Sequence, residues 1–400
     1  MKILILCHKP PYPAIDGGCV AMKNMAQNLI GLGYDVNIIS LATFKHPFIE
    51  SAYPEGFLQK TNFKAIDIDI KLNVLDAFSN LITSDSYNIS RFFSTTVEEE
   101  IKECLSKFKP DTVVFESLFM CPYLSTIRAF DQNIKTVLRS HNLEYLIWQR
   151  HKENSNNPIK KLYLGLLVTQ LREYEFEILK QIDGVLAISP LDKKHYLEKT
   201  EISAPIEVVS LGIDINEEQL HDVKPNAFFH LGAMDWEPNL QGIHWFLQDV
   251  WPLILAKSPD ATLTLAGKNI QNYTLPSFAQ GKNIEIVPEV LDAKAFMKTN
   301  GIMLVPIVIA GGIRIKIIEG MSYGVPVIST EIGAEGLNAS DGVEIMTATT
   351  AEDMATKALA LIDDNAALEK IRANGLKFAK DHFDNERIKQ KLKLFLEEKI

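Results

Sequence analysis

The stretch PIVIAGGIRIKIIEG, Pro306 to Gly320, has the residue types an anion site needs. Gly311 and Gly312 lead into a helix expected to end near Tyr323, where Gly324 and Pro326 interrupt it. Backbone N–H groups at such a helix start, with no Cβ in the way, can point at phosphate oxygens, and the helix dipole adds positive potential. Arg314 and Lys316 follow at once, and cations at this end oppose the dipole by some tenths of a kcal/mol until an anion arrives. Two positions along a helix of ~3.6 residues per turn is about 200°, so a regular helix cannot aim both side chains at one ligand. One must leave from the glycine loop. Arg314 is nearer to it, and a forked guanidinium suits phosphate oxygens better than an ammonium does. Glu319, one turn past Ile315, offers a carboxylate that can accept both hydroxyls of a ribose.

Two further clusters lie in the first half. Asp16-Gly17-Gly18 stands between an apolar run and a helix bearing Met22, Met25, Leu29 and Leu32. Gly17 and Gly18 fit either a phosphate contact or a plain tight turn. In VLRSHNLEYLIWQR, His141, Asn142 and Glu144 follow a strand end, where open α/β sheets gather ligands; the alternative is a surface loop with Asn142 as a cap. The stretch continues into Arg150, His151, Lys152, Lys160 and Lys161, either a solvated face or a contact for acceptor or membrane surface. Glu289, within NIEIVPEV just past its strand, stands near a nucleotide base by position alone.

Positioning these clusters is the work of short β-branched runs alternating with helix-length amphipathic stretches, the pattern of parallel sheets with crossover helices. Strands are expected at Ile3–Cys7, Val36–Leu41, Ala65–Ile70, Thr112–Glu116, Thr136–Ser140, Gly184–Ile188 and Ile206–Ser210. A second set follows at Ala227–Leu231, Thr262–Ala266, Ile284–Val287, Ile302–Pro306, Pro326–Ser329 and Val343–Met346. The polar NEEQLHDVKPN, Asn216–Asn226, reads as the linker. This gives an α/β protein of two Rossmann-like doubly wound domains, 1–220 and 221–384. A last amphipathic helix over 385–400, with Ile388, Leu392, Phe395 and Leu396 on one side, needs an apolar partner.

At 400 residues the chain is long enough for two or three domains, and 46% apolar with 23% charged excludes global disorder. A net charge of −10 gives no overall attraction for a phosphate backbone, so no nucleic-acid partner is expected. Cys7, Cys19, Cys104 and Cys121 have no CxxC spacing, which points to free thiols in a reducing compartment and gives zinc no support. No apolar run approaches the ~20 residues of a membrane span. MKILILCHKPPYP has too short an apolar core for a signal peptide. A cytoplasmic protein, on a membrane only peripherally, is expected.

Taken in order, DGG near the start, the histidine after the fifth strand, DGVLAISPLD (Asp183–Asp192), LGID (Leu211–Asp214), GAMDWEPNLQGIHWF (Gly232–Phe246) and KIIEGMSYGVPVIST (Lys316–Thr330) resemble family-four glycosyltransferases, the retaining, nucleotide-sugar-dependent enzymes of the GT-B fold. The resemblance covers nearly the whole chain. It implies two domains facing across a cleft, the last helix returning to the first domain, and transfer of a sugar from a nucleoside diphosphate to an acceptor hydroxyl without a metal or other cofactor. The acceptor would be a glycan, a lipid-linked sugar or a small molecule, in cell-envelope polysaccharide or glycolipid synthesis. In that family two glutamates with seven residues between them mark the donor site. The second matches Glu319, whereas the first falls at Gly311, which has no side chain. The family's Arg and Lys after the second domain's first strand are also missing from GAMDWEPNLQG, which implies relocation of that charge to Arg314 and Lys316. His141 matches the family's histidine near the donor sugar or acceptor. A nucleotide-sugar epimerase on the same fold and an inactive donor-binding homologue are the alternative readings.

Overall fold

The computed structural model describes residues 1–70, 87–199, 201–215, 223–287, 290–309 and 313–400. The chain forms two compact units, Met1–Gly212 together with Ile388–Ile400, and Ile213–Arg387.

The first unit is built on a parallel sheet of β1 (Lys2–Cys7), β2 (Asp35–Ala42), β3 (Lys64–Asp67), β4 (Thr112–Glu116), β5 (Lys135–Ser140), β6 (Gly184–Ala187) and β7 (Ile206–Val208), in the order β3-β2-β1-β4-β5-β6-β7. Successive strand residues point to opposite faces, and here both faces are apolar. Leu4 and Leu6 join Phe115, Leu138 and the Val97–Ile101–Leu105 helix stripe on one side. Ile3, Ile5 and Cys7 join Met22, Met25 and Leu29 on the other. That second face is completed from the far end of the chain: Ile388, Leu392, Phe395 and Leu396 bury their stripe there. Gly184 makes room for it, since a Cβ at that position would stand 2.7 Å from the side chains of Phe395 and Ile400.

The second unit carries β8 (Ala227–Leu231), β9 (Thr262–Ala266), β10 (Ile284–Ile286), β11 (Ile302–Val305), β12 (Val327–Thr330) and β13 (Met346–Ala348), also parallel, in the order β10-β9-β8-β11-β12-β13. Phe228, Leu263, Leu265, Ile302 and Leu304 feed one core layer. Phe229, Met303 and Val305 pack on Ile317, Ile318 and Met321 of the Ile315–Ser322 helix in the other. One expected strand is displaced. The run Val343–Met346 pairs only from Met346, because Gly342, at φ +71°, bonds its N–H to Ile345 O and closes a turn over Asp341–Ile345.

In both sheets the strand order reverses at the first strand, between β1 and β4 and between β8 and β11, and such switch points open a crevice at the strands' carboxyl ends. Among the described residues no helix is long and apolar enough to cross a membrane.

Candidate active site

In the first unit, the carboxyl ends of β1, β4 and β5 deliver His8, Glu116 and His141 to one place. Glu116 closes an otherwise apolar strand and is fully buried, as is Arg139 from β5. The Arg139 guanidinium reaches the Glu116 carboxylate at 3.2 and 3.3 Å and Ala21 O at 2.8 Å. His141 Nε2 lies 2.5 Å from Glu116 Oε2, and His8 Nδ1 lies 2.9 Å from the Glu116 carbonyl. Burial works against the Glu116 charge, but the Arg139 charge and the His141 hydrogen bond outweigh it and hold the carboxyl below its usual range. Burial likewise favours neutral imidazoles. It lowers His141, and with His141 and Lys9 nearby it takes His8 down to about 3.

Gly17 opens the Gly17–Gly31 helix with Asp16 as its cap, Oδ1 accepting the Cys19 N–H at 2.9 Å. The same carboxylate binds Lys9 Nζ at 2.8 Å and His46 Nε2 at 2.9 Å. Gly18 has a packing duty: a Cβ there would lie 2.8 Å from Lys9 Nζ. The Lys9 stem thus crosses the glycine turn and sets a cation beside it. The ligand atoms of Asp16, Cys19 and His46 lie within 4.8 Å of one another. A cation there would compete with Lys9 for Asp16, and burial keeps the Cys19 thiol protonated, pushed up to about 12.

Asn142 and Glu144 lead into the Glu144–Glu153 helix, with Asn142 Nδ2 3.5 Å from Glu144 Oε1. Glu144 is buried, which raises it to about 7. Deeper in the same unit, burial takes Glu175 to about 8 although Tyr196 Oη donates to it at 2.8 Å. The basic residues Arg150, His151, Lys152, Lys160 and Lys161 occupy the end of one helix and the start of the next, Pro158–Gln181, where Ile159 and Leu162 are exposed.

The second unit gathers its polar groups at the end of β8. The Lys316 ammonium donates to Leu231 O and Asn239 Oδ1, both at 3.1 Å, and Asn239 Nδ2 donates to Ala233 O at 2.8 Å. His230 is fully buried and gives its Nδ1 proton to Leu304 O at 2.9 Å; its Nε2 has no hydrogen-bond partner among the described residues. Gly232 lies at the centre. A Cβ there would come within 2.7 Å of Asn239 Nδ2, 2.8 Å of Lys316 Nζ and 2.9 Å of His230 Nε2. Gly267, at φ +140°, holds the neighbouring loop against it, because any Cβ would strike Gly232 O at 1.9 Å. Burial, then the Arg314 charge, lowers Lys316 to about 7.

Arg314 and Lys316 do not share a helical turn, and it is Arg314 that leaves from outside the helix. Arg314 is the cap, with extended backbone (φ −84°, ψ 94°), and the helix begins at Ile315. The two side chains therefore leave from different backbone geometries, as the 200° separation requires. Arg314 is buried, and Glu319 sits on the second turn. Gly311, Gly312 and Glu289 lie outside the described residues. Sequence reasoning missed His8, Lys9, Glu116, Arg139 and His230. For Glu116, Arg139 and His230 the available signal was a polar residue inside or ending an apolar strand, TVVFE, KTVLRS and AFFHL.

Comparison with known proteins places these features in a family. The model for "Glycosyltransferase Family 4" matches residues 15–217, and that for "Glycosyl transferases group 1" matches 225–364. The chain is 25% identical, over 97% of each sequence, to a Klebsiella pneumoniae protein described as an uncharacterized 44.6 kDa protein in the cps region. Its fold is similar to sucrose-phosphate synthase of Thermosynechococcus elongatus (TM-score 0.71, 13% identity, 99% of this chain and 98% of that one). It is also similar to Anabaena Alr3699/HepE, crystallised in complex with UDP (TM-score 0.65, 14% identity, 99% of each chain). With one family model spanning half of the chain, a second covering most of the other half and the GT-B architecture running end to end, the protein belongs to glycosyltransferase family 4.

Proposed function

We propose that the protein transfers a sugar from a nucleoside-diphosphate donor to an acceptor hydroxyl, with retention at the anomeric carbon and without a metal. The bond from the anomeric carbon to the diphosphate breaks, the acceptor oxygen takes its place, and the acceptor's proton leaves toward the diphosphate or solvent. The observation that carries this reading is the polar cradle around Gly232. A desolvated ammonium, a buried imidazole nitrogen with no hydrogen-bond partner among the described residues and an amide converge on a position kept open by glycine, at the switch point of the second sheet. The Lys316 ammonium is the preorganised donor that stabilises charge as it develops on a leaving group, whereas the neutral His230, its hydrogen on Nδ1, can only accept through Nε2.

In this reading the second unit holds the donor and the first the acceptor side. Lys316, Arg314 and the Gly311–Gly312 backbone take the diphosphate. Glu319 takes the ribose, and the base is assigned to Glu289. His141, with Asn142 and Glu144 beside it, serves the transferred sugar or the acceptor. The relative in a Klebsiella cps region favours an envelope or capsular polysaccharide as product, and the described thiols, all free, suit the cytoplasmic side of a membrane. Contact with that membrane would fall to the basic stretch around Lys152, Lys160 and Lys161.

UDP-sugars are the first donors to try, since the Anabaena relative was crystallised with UDP. The test is release of nucleoside diphosphate from a panel of nucleotide sugars, with and without envelope glycan or lipid acceptors, in wild type, Arg314→Ala and Lys316→Ala. Turnover that is lost in both variants supports the reading. Turnover untouched by either removes the assigned donor site.

A further inference from the structure

We propose that Glu116 anchors two imidazoles at once, so that His141 Nδ1 and His8 Nε2 stand as fixed, neutral hydrogen-bond acceptors for the hydroxyls of a bound sugar. This rests on the transferase reading and assigns substrate-facing atoms within it.

Both oxygen groups of Glu116 that meet the imidazoles can only accept. Its backbone carbonyl has no proton to give, so the 2.9 Å contact requires His8 to carry its hydrogen on Nδ1. Its carboxylate, kept ionised by Arg139, also only accepts, so the 2.5 Å contact requires His141 to carry its hydrogen on Nε2. Each ring is left with one lone-pair nitrogen, and neither of those atoms has a hydrogen-bond partner among the described residues. The ends of three strands adjacent in the sheet set this arrangement: Glu116 is the last residue of β4, and His8 and His141 are the first residues past β1 and β5. The rings stand edge to face with centroids 5.6 Å apart, and Phe119 packs edge-on against His8 at 5.8 Å.

Such a pair selects by chemistry. Two acceptors without a proton attract hydroxyl donors and repel phosphate oxygens, which are themselves acceptors. Burial, with Arg139 and Lys9 close by, opposes protonation that would turn either nitrogen into a donor. The ligand is therefore a polyol, from the sugar of the donor or from the acceptor glycan, and the diphosphate belongs elsewhere. Glu116 acts through the rings and is a positioning residue.

Long-range proton–nitrogen correlation spectra of the full-length protein labelled with ¹⁵N-histidine read the tautomers without any need for activity. The expected result near neutral pH is a single Nε2–H form for His141 and a single Nδ1–H form for His8. A Nδ1–H form at His141, or averaged tautomers at both rings, overturns the proposal. In Glu116→Gln, His141 should become a mixture while His8, held by the backbone, keeps its form and reports an intact fold; an unchanged His141 removes the carboxylate from the role. His8→Phe keeps the ring packing and deletes the lone pair. It should raise KM for a sugar-bearing substrate about 3- to 10-fold, with affinity for bare UDP unchanged. A rise in the donor KM marks the donor sugar as the ligand, a rise in the acceptor KM marks the acceptor, and no rise in either overturns the assignment of His8. If wild type turns over no nucleotide sugar, the transferase reading fails while the spectra still decide the anchoring.

Discussion

Binding of a nucleoside diphosphate should draw a proton onto Lys316. In the unliganded protein burial and the Arg314 charge lower this lysine from 10.5 to about 7. An arriving diphosphate supplies a counter-charge and restores the ammonium. At pH 8 the free site is only about one-tenth protonated, so binding takes up roughly 0.9 proton, falling to about 0.5 at pH 7. The nucleotide's own terminal phosphate, with a second ionisation near ~6, is fully charged at pH 8 and adds nothing there. Titration calorimetry with UDP in buffers of different ionisation enthalpy reads this number as a slope. Lys316→Met keeps the stem and deletes the charge, and should bring the slope near zero while weakening binding. Without ligand the sign follows the same depression. The unfolded chain binds more protons between about pH 7 and 10.5, so wild-type stability rises with pH across that window and the variant's does not. A wild-type slope near zero at pH 8, or the same slope in Lys316→Met, refutes the reasoning.

Glu319→Ala should weaken donor binding by about 1.5–3 kcal/mol, the range for a hydrogen bond to a charged group, with an unchanged melting profile; wild-type turnover would take Glu319 out of the site. Phe395→Ala should cost the first unit about 3–5 kcal/mol, because Phe395 is fully buried against the β1 face, and a loss under ~1 kcal/mol in denaturant titration would show that the returning helix is not needed there. Burial raises Glu175 from 4.5 to about 8, so the native state holds a proton that the unfolded chain releases, and stability falls as pH rises through that interval. Glu175→Gln should flatten that fall and stabilise the protein at pH 8; an unchanged slope would contradict the assignment.

The fold was legible because the central β-strands are buried on both faces and read as apolar runs, KILILC or TVVFE, between amphipathic helices. Within the candidate site the glycine pair drew attention to Gly18, where a Cβ would meet Lys9, and conspicuous charge drew it to Arg314 and Lys316, but Gly232 and Gly267 carried no such signal. It was not legible where one polar side chain hides in an apolar strand. His230 in AFFHL looks like a lapse in a core strand until β11 supplies Leu304 O for its Nδ1. Glu116 and Arg139 are 23 residues apart, and only the pairing of β4 with β5 makes them an ion pair. Lys316 owes its contacts with Leu231 and Asn239 to the packing of its helix beside β8, about 80 positions earlier, which no local pattern encodes. The strand expected at Val343–Met346 failed for a local reason, the Asp341–Ile345 turn at Gly342.

The central claim is sugar transfer from a nucleoside-diphosphate donor. Its most direct test follows the anomeric signal of a ¹³C-labelled UDP-sugar by NMR while the purified protein acts on an envelope glycan or lipid acceptor. The account predicts loss of the donor signal, release of UDP and a new glycoside signal of the same anomeric configuration, all abolished by Lys316→Met. A panel of nucleotide sugars that yields neither UDP release nor a new glycoside would contradict it, and a product of inverted configuration would contradict retention.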